Sequence, residues 1–209
     1  RRYVRLLKVS GAIERRWGAG LRSSVIGSLG DFTLKTLDQF RRIPKGLSAE
    51  AYSGEFDDEF ARLGCELEEH RAVFGDRRPD YLNWRYQTGV RFEFSKVTVR
   101  SGKELLGYAV LQRGADASVT IVEFECPDDN AIELALFRAL LHVCYQNNVE
   151  LLQASCIEGN TWANKLKRLG FVARERTAGP VVYAANDSKW NEIITDKNQW
   201  WMTDGDRDG

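Results

Sequence analysis

The chain lacks most of the features that assign a protein to a specialised class. Its 209 residues include only two histidines, four cysteines and four prolines, and 30 basic side chains balance 30 acidic ones. A histidine metal site is therefore not expected, and we predict no metal. The net charge of zero argues against a broad nucleic-acid surface. No apolar run reaches the length that spans a membrane.

The cysteines form no Cys-x-x-Cys pair. They stand far apart, at Cys65, Cys126, Cys144 and Cys156. This spacing favours free, mostly buried thiols over disulfides or zinc ligands. No signal peptide is visible either. We therefore expect a cytoplasmic protein.

The central part of the chain has a strand, strand, helix, strand, helix pattern. Leu105–Leu111 and Val119–Cys126 are short apolar runs typical of buried strands. From Ala131 the apolar residues recur every three or four positions, which predicts a long helix. Leu151–Ala154 predicts a further strand, and Asn160 a cap for the helix that follows. The pattern predicts an α/β (α+β) fold with a β-α-β crossover in a mixed sheet.

The flanks of this pattern divide the chain into three segments. Residues 1–44 are basic, and apolar residues such as Tyr3, Leu7 and Trp17 are spaced for an amphipathic linker helix. Such a helix could dock on the body or a partner domain, or on an anionic surface. Residues 45–187 form the predicted globular domain. Residues 188–209 form a tail that we expect to be frayed and acidic, anchored by Trp200 and Trp201.

Within the domain, the sequence before the central pattern predicts two strands and two helices. Ser48–Ser53 and Phe92–Val99 predict strands, and Phe56–Val73 predicts a helix. Tyr81–Tyr86 predicts a second, short helix. Its three aromatic side chains, flanked by arginines, could stack on nucleic acid, but such a cluster is more typical of a core.

This order of elements resembles the GNAT superfamily of N-acyltransferases. The resemblance is carried by Gly102–Tyr108 in a hairpin, by Asn160–Ala163 at the start of the late helix and by Arg168–Phe171 at its end. Asp80–Tyr86 and Trp200–Asp208 are similar to a bacterial subgroup with two GNAT-like halves. That subgroup is often tied to polysaccharide or envelope biosynthesis.

The resemblance implies a GNAT-like, mostly antiparallel sheet flanked by helices. It implies acetyl-CoA or another acyl-CoA as donor, a small-molecule amine, such as an amino-sugar, as acceptor, and a second GNAT-like domain upstream. The alternative is a non-catalytic GNAT-like domain that gives structure or acceptor binding to a partner catalytic half. A Fem-type peptidoglycan ligase, which takes its donor from aminoacyl-tRNA, has related halves.

The donor loop departs from the pattern that the resemblance implies. Family members bind the diphosphate with a Gln/Arg-x-x-Gly-x-Gly/Ala loop at a helix N-terminus. Here the loop, Glu125–Asn130, has no glycine, Pro127 lacks an N–H group, and two aspartates would repel a diphosphate. The cofactor-binding residues that the resemblance implies are Phe124, Cys126, Asn130 and Asn160.

The resemblance also implies a general base on the strand before the long helix. Glu123 and Glu125 are the candidates, because a carboxylate among apolar neighbours has a raised pKa. Glu123 is preferred. Family members often have a tyrosine that protonates the leaving thiolate, and the corresponding position here is Leu166. Cys156 follows the next strand, where substrates meet in the family, but no histidine stands nearby in sequence to activate it.

Overall fold

The structure is a computed structural model that describes residues 1–11, 13, 21–39, 43–87, 92–114, 116–174 and 190–206. The strands are β1 (Arg2–Leu6), β2 (Leu47–Tyr52), β3 (Val73–Phe74), β4 (Phe94–Ser101), β5 (Glu104–Arg113), β6 (Ser118–Glu125), β7 (Leu151–Ser155), β8 (Val172–Ala173) and β9 (Trp200–Trp201). The helices are α1 (Leu21–Gln39), α2 (Asp58–Glu68), α3 (Pro79–Arg85), α4 (Asn130–Gln146), α5 (Thr161–Arg168) and α6 (Asn191–Thr195).

Seven strands form the main sheet, in the order β2-β4-β5-β6-β7-β1-β8. Only β6 and β7 pair in parallel, and helix α4 makes the crossover between them; the other pairings are antiparallel. The expected mixed, mostly antiparallel sheet with flanking helices is confirmed. The two smallest strands, β3 and β9, form a separate parallel pair.

Apolar side chains cover both faces of the sheet. The larger cluster contains the apolar stripe of α4, including Leu136 and Leu140, and extends to Trp162 on α5. The smaller cluster joins α2 and α3 to the opposite face, where Phe60 packs against Tyr108 of β5 and Leu82 belongs to the same cluster. The sheet is therefore buried on both faces, and its polar groups have to be paired inside the protein.

The first residues of the chain do not form the linker helix expected there. A helix is present over Leu21–Gln39, but Arg2–Leu6 is strand β1 and pairs with β7 and β8 in the main sheet. Tyr3 and Leu7 are buried in the larger core cluster. Their spacing fitted a helix, but the free edge of β7 offered hydrogen-bond partners that local sequence cannot reveal.

The end of the chain also differs from expectation. We name Trp200–Asp206 the C-terminal strap. It is not frayed: Trp201 and Gly205 are buried, and β9 pairs with β3. Trp201 does anchor it, as expected. Carboxylates beyond Trp201 find partners inside the protein, so the acidic composition was misleading about order.

The remaining sequence predictions are largely confirmed. The predicted strands and helices before the central pattern correspond to β2, α2, α3 and β4, but the helix predicted to extend to Val73 ends at Glu68, and Val73 lies in strand β3. The β4–β5 hairpin turns at Gly102 with a positive φ of 58°. Trp17 and the region around residues 175–187 lie outside the described residues. Among the helices that the structure describes, none combines the length and apolar character needed to cross a membrane.

Candidate functional site

A β-bulge in β6 decides which of its side chains face the larger core cluster and which face α2 and α3. The register with β5 passes from Leu111 opposite Ile121 to Val110 opposite Glu123, so Val122 is the extra residue. Ile121 and Phe124 therefore both enter the larger core, although they are three positions apart. The bulge thereby turns Glu123 and Glu125 away from that core.

Strands β6 and β7 diverge just before these two glutamates. Their pairing covers only Ser118–Thr120 with Leu151–Gln153. Beyond it, the Ser155 N–H donates to the Asp204 carboxylate of the C-terminal strap at 2.7 Å instead of to β6. Phe124 stacks on Trp162, and Trp162 packs on Trp201 of the strap. The strap and the aromatic side chains thus fill the opening in the sheet.

Arg77 lies at the centre of a buried ionic cluster beside this opening. Its guanidinium is 2.9 Å from a Glu123 oxygen and 3.3 Å from a Glu125 oxygen. It also donates two hydrogen bonds to Asp206 of the strap, at 2.8 and 3.1 Å. The Arg77 side chain is 1% exposed. Burial lowers its pKa, but the three carboxylates raise the pKa more, so the guanidinium stays charged.

Glu125 is also held by groups from two other segments. Arg71 forms a buried ion pair with it and donates a 2.9 Å hydrogen bond to the Cys126 carbonyl. The indole N–H of Trp201 donates to the same carboxylate at 3.1 Å. The Arg71 guanidinium lies over the Trp201 ring, 3.9 Å from its centroid. Glu125 therefore joins the strap to the loop between α2 and β3.

Glu123 has weaker compensation for its charge. It is fully buried and accepts a hydrogen bond from the Tyr86 hydroxyl, and the Thr203 hydroxyl of the strap lies 3.4 Å from its other oxygen. Burial raises the pKa of Glu123 to about 8; Arg77 opposes this rise, and Glu125 and Asp206 add to it. The pKa elevation expected from the sequence is present. The role of Glu123 as a base stays a prediction.

Two further features show how closely the strap fits the cluster. A Cβ atom built on Gly205 would lie 2.6 Å from the Val122 carbonyl oxygen and would overlap the Tyr86 hydroxyl and Glu123. The buried Tyr108 hydroxyl has no hydrogen-bond partner among the described residues. The cluster thus accepts glycine alone at position 205 and leaves one polar group of β5 unsatisfied.

The N-terminus of helix α4, where the sequence resemblance places the diphosphate, is occupied by the chain itself. The Asp129 carboxylate accepts hydrogen bonds from the backbone N–H groups of Ala131 and Ile132, at 2.7 and 3.1 Å. This capping satisfies both N–H donors and places a carboxylate at the positive end of the helix dipole. A phosphate at this position would have to displace Asp129.

The neighbouring side chains reinforce this capped end. Lys165 of α5, 2% exposed, lies 3.0 Å from Asp128 and 3.1 Å from Glu133. Burial lowers its pKa, but Cys126, Asp128 and Glu133 raise it more, so the ammonium stays charged. This cation is satisfied by the carboxylates of the loop and helix rather than directed outward.

The predicted cofactor-binding residues have structural partners here. Phe124 and Cys126 are buried in the larger core, and burial raises the pKa of the Cys126 thiol to about 12. Asn130 is the first residue of α4, and its side-chain oxygen lies 3.4 Å from Arg168. Asn160 caps α5 by accepting from the Ala163 N–H at 2.8 Å. Their contact with a cofactor stays a prediction.

Cys156 and Leu166 also occupy interior positions. Cys156 is 7% exposed at the end of β7, and burial raises the pKa of its thiol to about 12, which keeps it protonated. Leu166 is fully buried in the larger core. The other free thiols are Cys126 and Cys144, both buried, and Cys65, which is exposed.

The structure adds residues that the sequence analysis did not assign to a site. Arg71, Arg77, Tyr86, Thr203 and Asp206 surround the two predicted glutamates. They come from the loop after α2, from the turn between β3 and α3, from the end of α3 and from the strap, so no local spacing connects them. Within the described ranges, no group of three or more histidine, cysteine, aspartate or glutamate side chains could hold a metal ion.

Comparison with protein-family models gives no match, and neither does comparison with curated proteins. Among solved structures, a conserved Staphylococcus epidermidis protein of unknown function is 11% identical to this chain, with a TM-score of 0.47. The match covers 82% of this chain and 56% of that protein's chain. This chain thus spans little more than half of that protein.

Two acetyltransferase structures are similarly distant. A ribosomal-protein-alanine N-acetyltransferase from Brucella melitensis is 14% identical over 66% of this chain and 99% of its own, with a TM-score of 0.49. An acetyltransferase from Streptococcus agalactiae is 15% identical over 69% of this chain and 94% of its own chain, with a TM-score of 0.48.

The fold nevertheless defines a class. The mostly antiparallel main sheet, with β6 and β7 paired in parallel and joined by a crossover through α4, is the arrangement expected from the sequence resemblance. The chain has a fold of the GNAT type.

Proposed function

We propose that this chain is a GNAT-like domain of an N-acyltransferase that acylates an amine, and that it does not hold the acyl-CoA donor at helix α4. It contributes structure and acceptor binding, while a second GNAT-like domain upstream holds the donor. An amino-sugar of polysaccharide or envelope biosynthesis is the acceptor class that the subgroup resemblance favours. Free thiols at all four cysteines suit a cytoplasmic location.

The observation that carries this proposal is the Asp129 cap. Diphosphate binding needs free backbone N–H groups at the helix N-terminus, and Asp129 takes those of Ala131 and Ile132. Pro127 supplies no N–H, and Asp128 adds a second carboxylate to the same loop. Electrostatic repulsion and the missing donors act in the same direction.

A second candidate is an acyltransferase in which this chain performs the chemistry, with Glu123 as general base. A carboxyl with a pKa of about 8 is suited to accept a proton from an ammonium acceptor near neutral pH. Tyr86, which donates to Glu123, would orient the carboxylate. This candidate requires the C-terminal strap to leave the opening, because Glu123 is fully buried beneath it.

A thermal-unfolding titration with acetyl-CoA separates the candidates, with inorganic pyrophosphate as the anion control. A ligand that binds only the folded state adds about 2.7 kcal/mol at one hundred times its dissociation constant. We expect no shift with either compound up to millimolar concentration. A saturable shift with acetyl-CoA alone would overturn the proposal and favour the second candidate, for which Glu123→Gln kinetics is the next measurement.

A further inference from the structure

The C-terminal strap brings an excess of negative charge into the buried cluster. Two guanidinium groups, those of Arg71 and Arg77, face three carboxyl groups, those of Glu123, Glu125 and Asp206. The hydroxyls of Tyr86 and Thr203 also face Glu123, and the phenols of Tyr81 and Tyr108 interact with it electrostatically. Because Asp206 belongs to the strap, withdrawal of the strap would leave two cations with two carboxylates.

The hydrogen bonds around Thr203 indicate where a compensating proton fits. The Thr203 hydroxyl lies 3.4 Å from Glu123 and 3.2 Å from Asp206, and it has one hydrogen to donate. If Glu123 is protonated, it donates to the Thr203 oxygen, and Thr203 donates to Asp206. If Glu123 is ionised, one of the two carboxylates loses this donor. The Thr203 hydroxyl can therefore bridge Glu123 and Asp206 only when Glu123 is neutral, whereas the bonds to Asp206 from Arg77 and from the Thr203 backbone N–H are present in either state.

We propose that the C-terminal strap is a proton-linked gate over Glu123: it is seated when Glu123 carries a proton and is released more readily when that proton is lost. The two events are reciprocal, since anything that favours the neutral carboxyl favours the seated strap and the reverse. Release would uncover Glu123 and the Phe124–Trp162 pair beside β7. The gate follows from the geometry of the cluster and operates whether or not this domain performs chemistry.

Hydrogen exchange of the backbone amides in residues 200–206 measures release of the strap. After correction for the pH dependence of exchange from an unstructured peptide, the opening constant of the wild-type strap is expected to rise with pH by up to about tenfold per unit, the limit for one linked proton. The rise should level off near pH 8, where the buried carboxyl is itself ionised. An opening constant that is independent of pH would overturn the proposal.

Two variants identify the linked groups. Glu123→Gln keeps a neutral side chain at every pH, so its strap should open with a constant independent of pH. Asp206→Asn removes the excess charge, so the pH dependence of its strap-opening constant should be reduced at least severalfold. Asp76→Asn is the matched control, because Asp76 pairs with the exposed Arg78 outside the cluster; it should behave like the wild type.

The outcomes are decisive even if one variant folds poorly. The wild-type profile alone can overturn the gate, and either substitution can identify its proton. An unchanged wild-type slope in Asp206→Asn would mean that strap charge is not linked to opening, and the proposal would then be wrong. This experiment contains no acyl-CoA, so its failure is distinguishable from failure of the proposed function.

Discussion

Arg77 and Asp206 are 129 positions apart in the chain, yet they are joined by two hydrogen bonds of 2.8 and 3.1 Å. This paired geometry is the one in which arginine binds a carboxylate most strongly. The pair connects the turn before α3 to the last described residue of the chain. It therefore closes the fold around Glu123 and Glu125.

Replacement of Arg77 by methionine should be severely destabilising. It would leave three carboxyl groups buried with Arg71 as their remaining cation, and the loss of one partner of a buried ion pair costs about 3–5 kcal/mol. Urea unfolding measures the change in free energy. Arg78→Met is the matched control: the side chain of Arg78 is 82% exposed, and its pair with Asp76 should contribute at most about 1 kcal/mol. Equal effects of the two changes would contradict the cluster as described.

The stability of the protein should carry a pH dependence that comes from Glu123. Its folded pKa of about 8 lies above the ordinary value of 4.5, so the folded state retains a proton that the unfolded chain loses between these values. Glu123 therefore stabilises the fold fully below about pH 4.5, and this contribution is lost as pH rises to about 8, by at most about 1.4 kcal/mol per pH unit.

Glu123→Gln isolates the pH dependence of this contribution, because the amide does not titrate. The difference in unfolding free energy between variant and wild type should shift in favour of the variant from pH 5 to pH 8. Urea unfolding at several pH values provides the measurement. Parallel pH profiles for the two proteins would show that Glu123 has an ordinary pKa.

A methyl group at position 205 should prevent the strap from seating normally. Gly205→Ala would place a Cβ against the Val122 carbonyl, Tyr86 and Glu123, and overpacking of this kind costs about 1–3 kcal/mol. The thermal midpoint should fall, and Trp201 should become accessible to acrylamide quenching. An unchanged midpoint would mean that the strap is not packed as described.

Helix α4 should lose stability when its cap is removed. Asp129→Ala eliminates the acceptor for the N–H groups of Ala131 and Ile132 and should cost about 1 kcal/mol. Asp129→Ser retains an acceptor without the charge and should recover most of this loss. Urea unfolding of both variants is the test, and equal losses would contradict hydrogen-bonded capping.

The four thiols should react with a thiol reagent at two different rates. Cys65 is exposed, whereas Cys126, Cys144 and Cys156 are buried, and burial raises the pKa of each buried thiol to about 12. One thiol should react rapidly in the native protein and all four after denaturation. Peptide mapping identifies the rapid site, and labelling of Cys156 in the native state would contradict its burial.

The sequence predicted the parts of the fold that depend on local pattern. The α4 stripe, the Asn160 cap and the turn at Gly102 each have a short-range signal that tertiary contacts did not override. Strand β1 was missed because its paired residues in β7 are 145 to 153 positions away, from Leu6 opposite Leu151 to Arg2 opposite Ser155, beyond any local signal. The bulge at Val122 was likewise invisible, although it decides the direction of Glu123.

The candidate site was predicted in part. Glu123 and Glu125 were selected because they are carboxylates in an apolar strand, and that reasoning anticipated the raised pKa of Glu123. The arginines were not selected, since Arg77 is surrounded in sequence by charged residues that look like a solvent-exposed turn. Only the three-dimensional contact with the strap distinguishes Arg77 from Arg78.

The most direct test of the account is a nuclear magnetic resonance titration of the protein with acetyl-CoA, in which the backbone amides of Ala131 and Ile132 are followed. These two N–H groups are bonded to Asp129, so we predict that their resonances stay unchanged up to millimolar acetyl-CoA. A saturable shift of both resonances, absent with pyrophosphate, would show that the donor displaces the cap. That result would contradict the central claim that this domain does not hold acyl-CoA at helix α4.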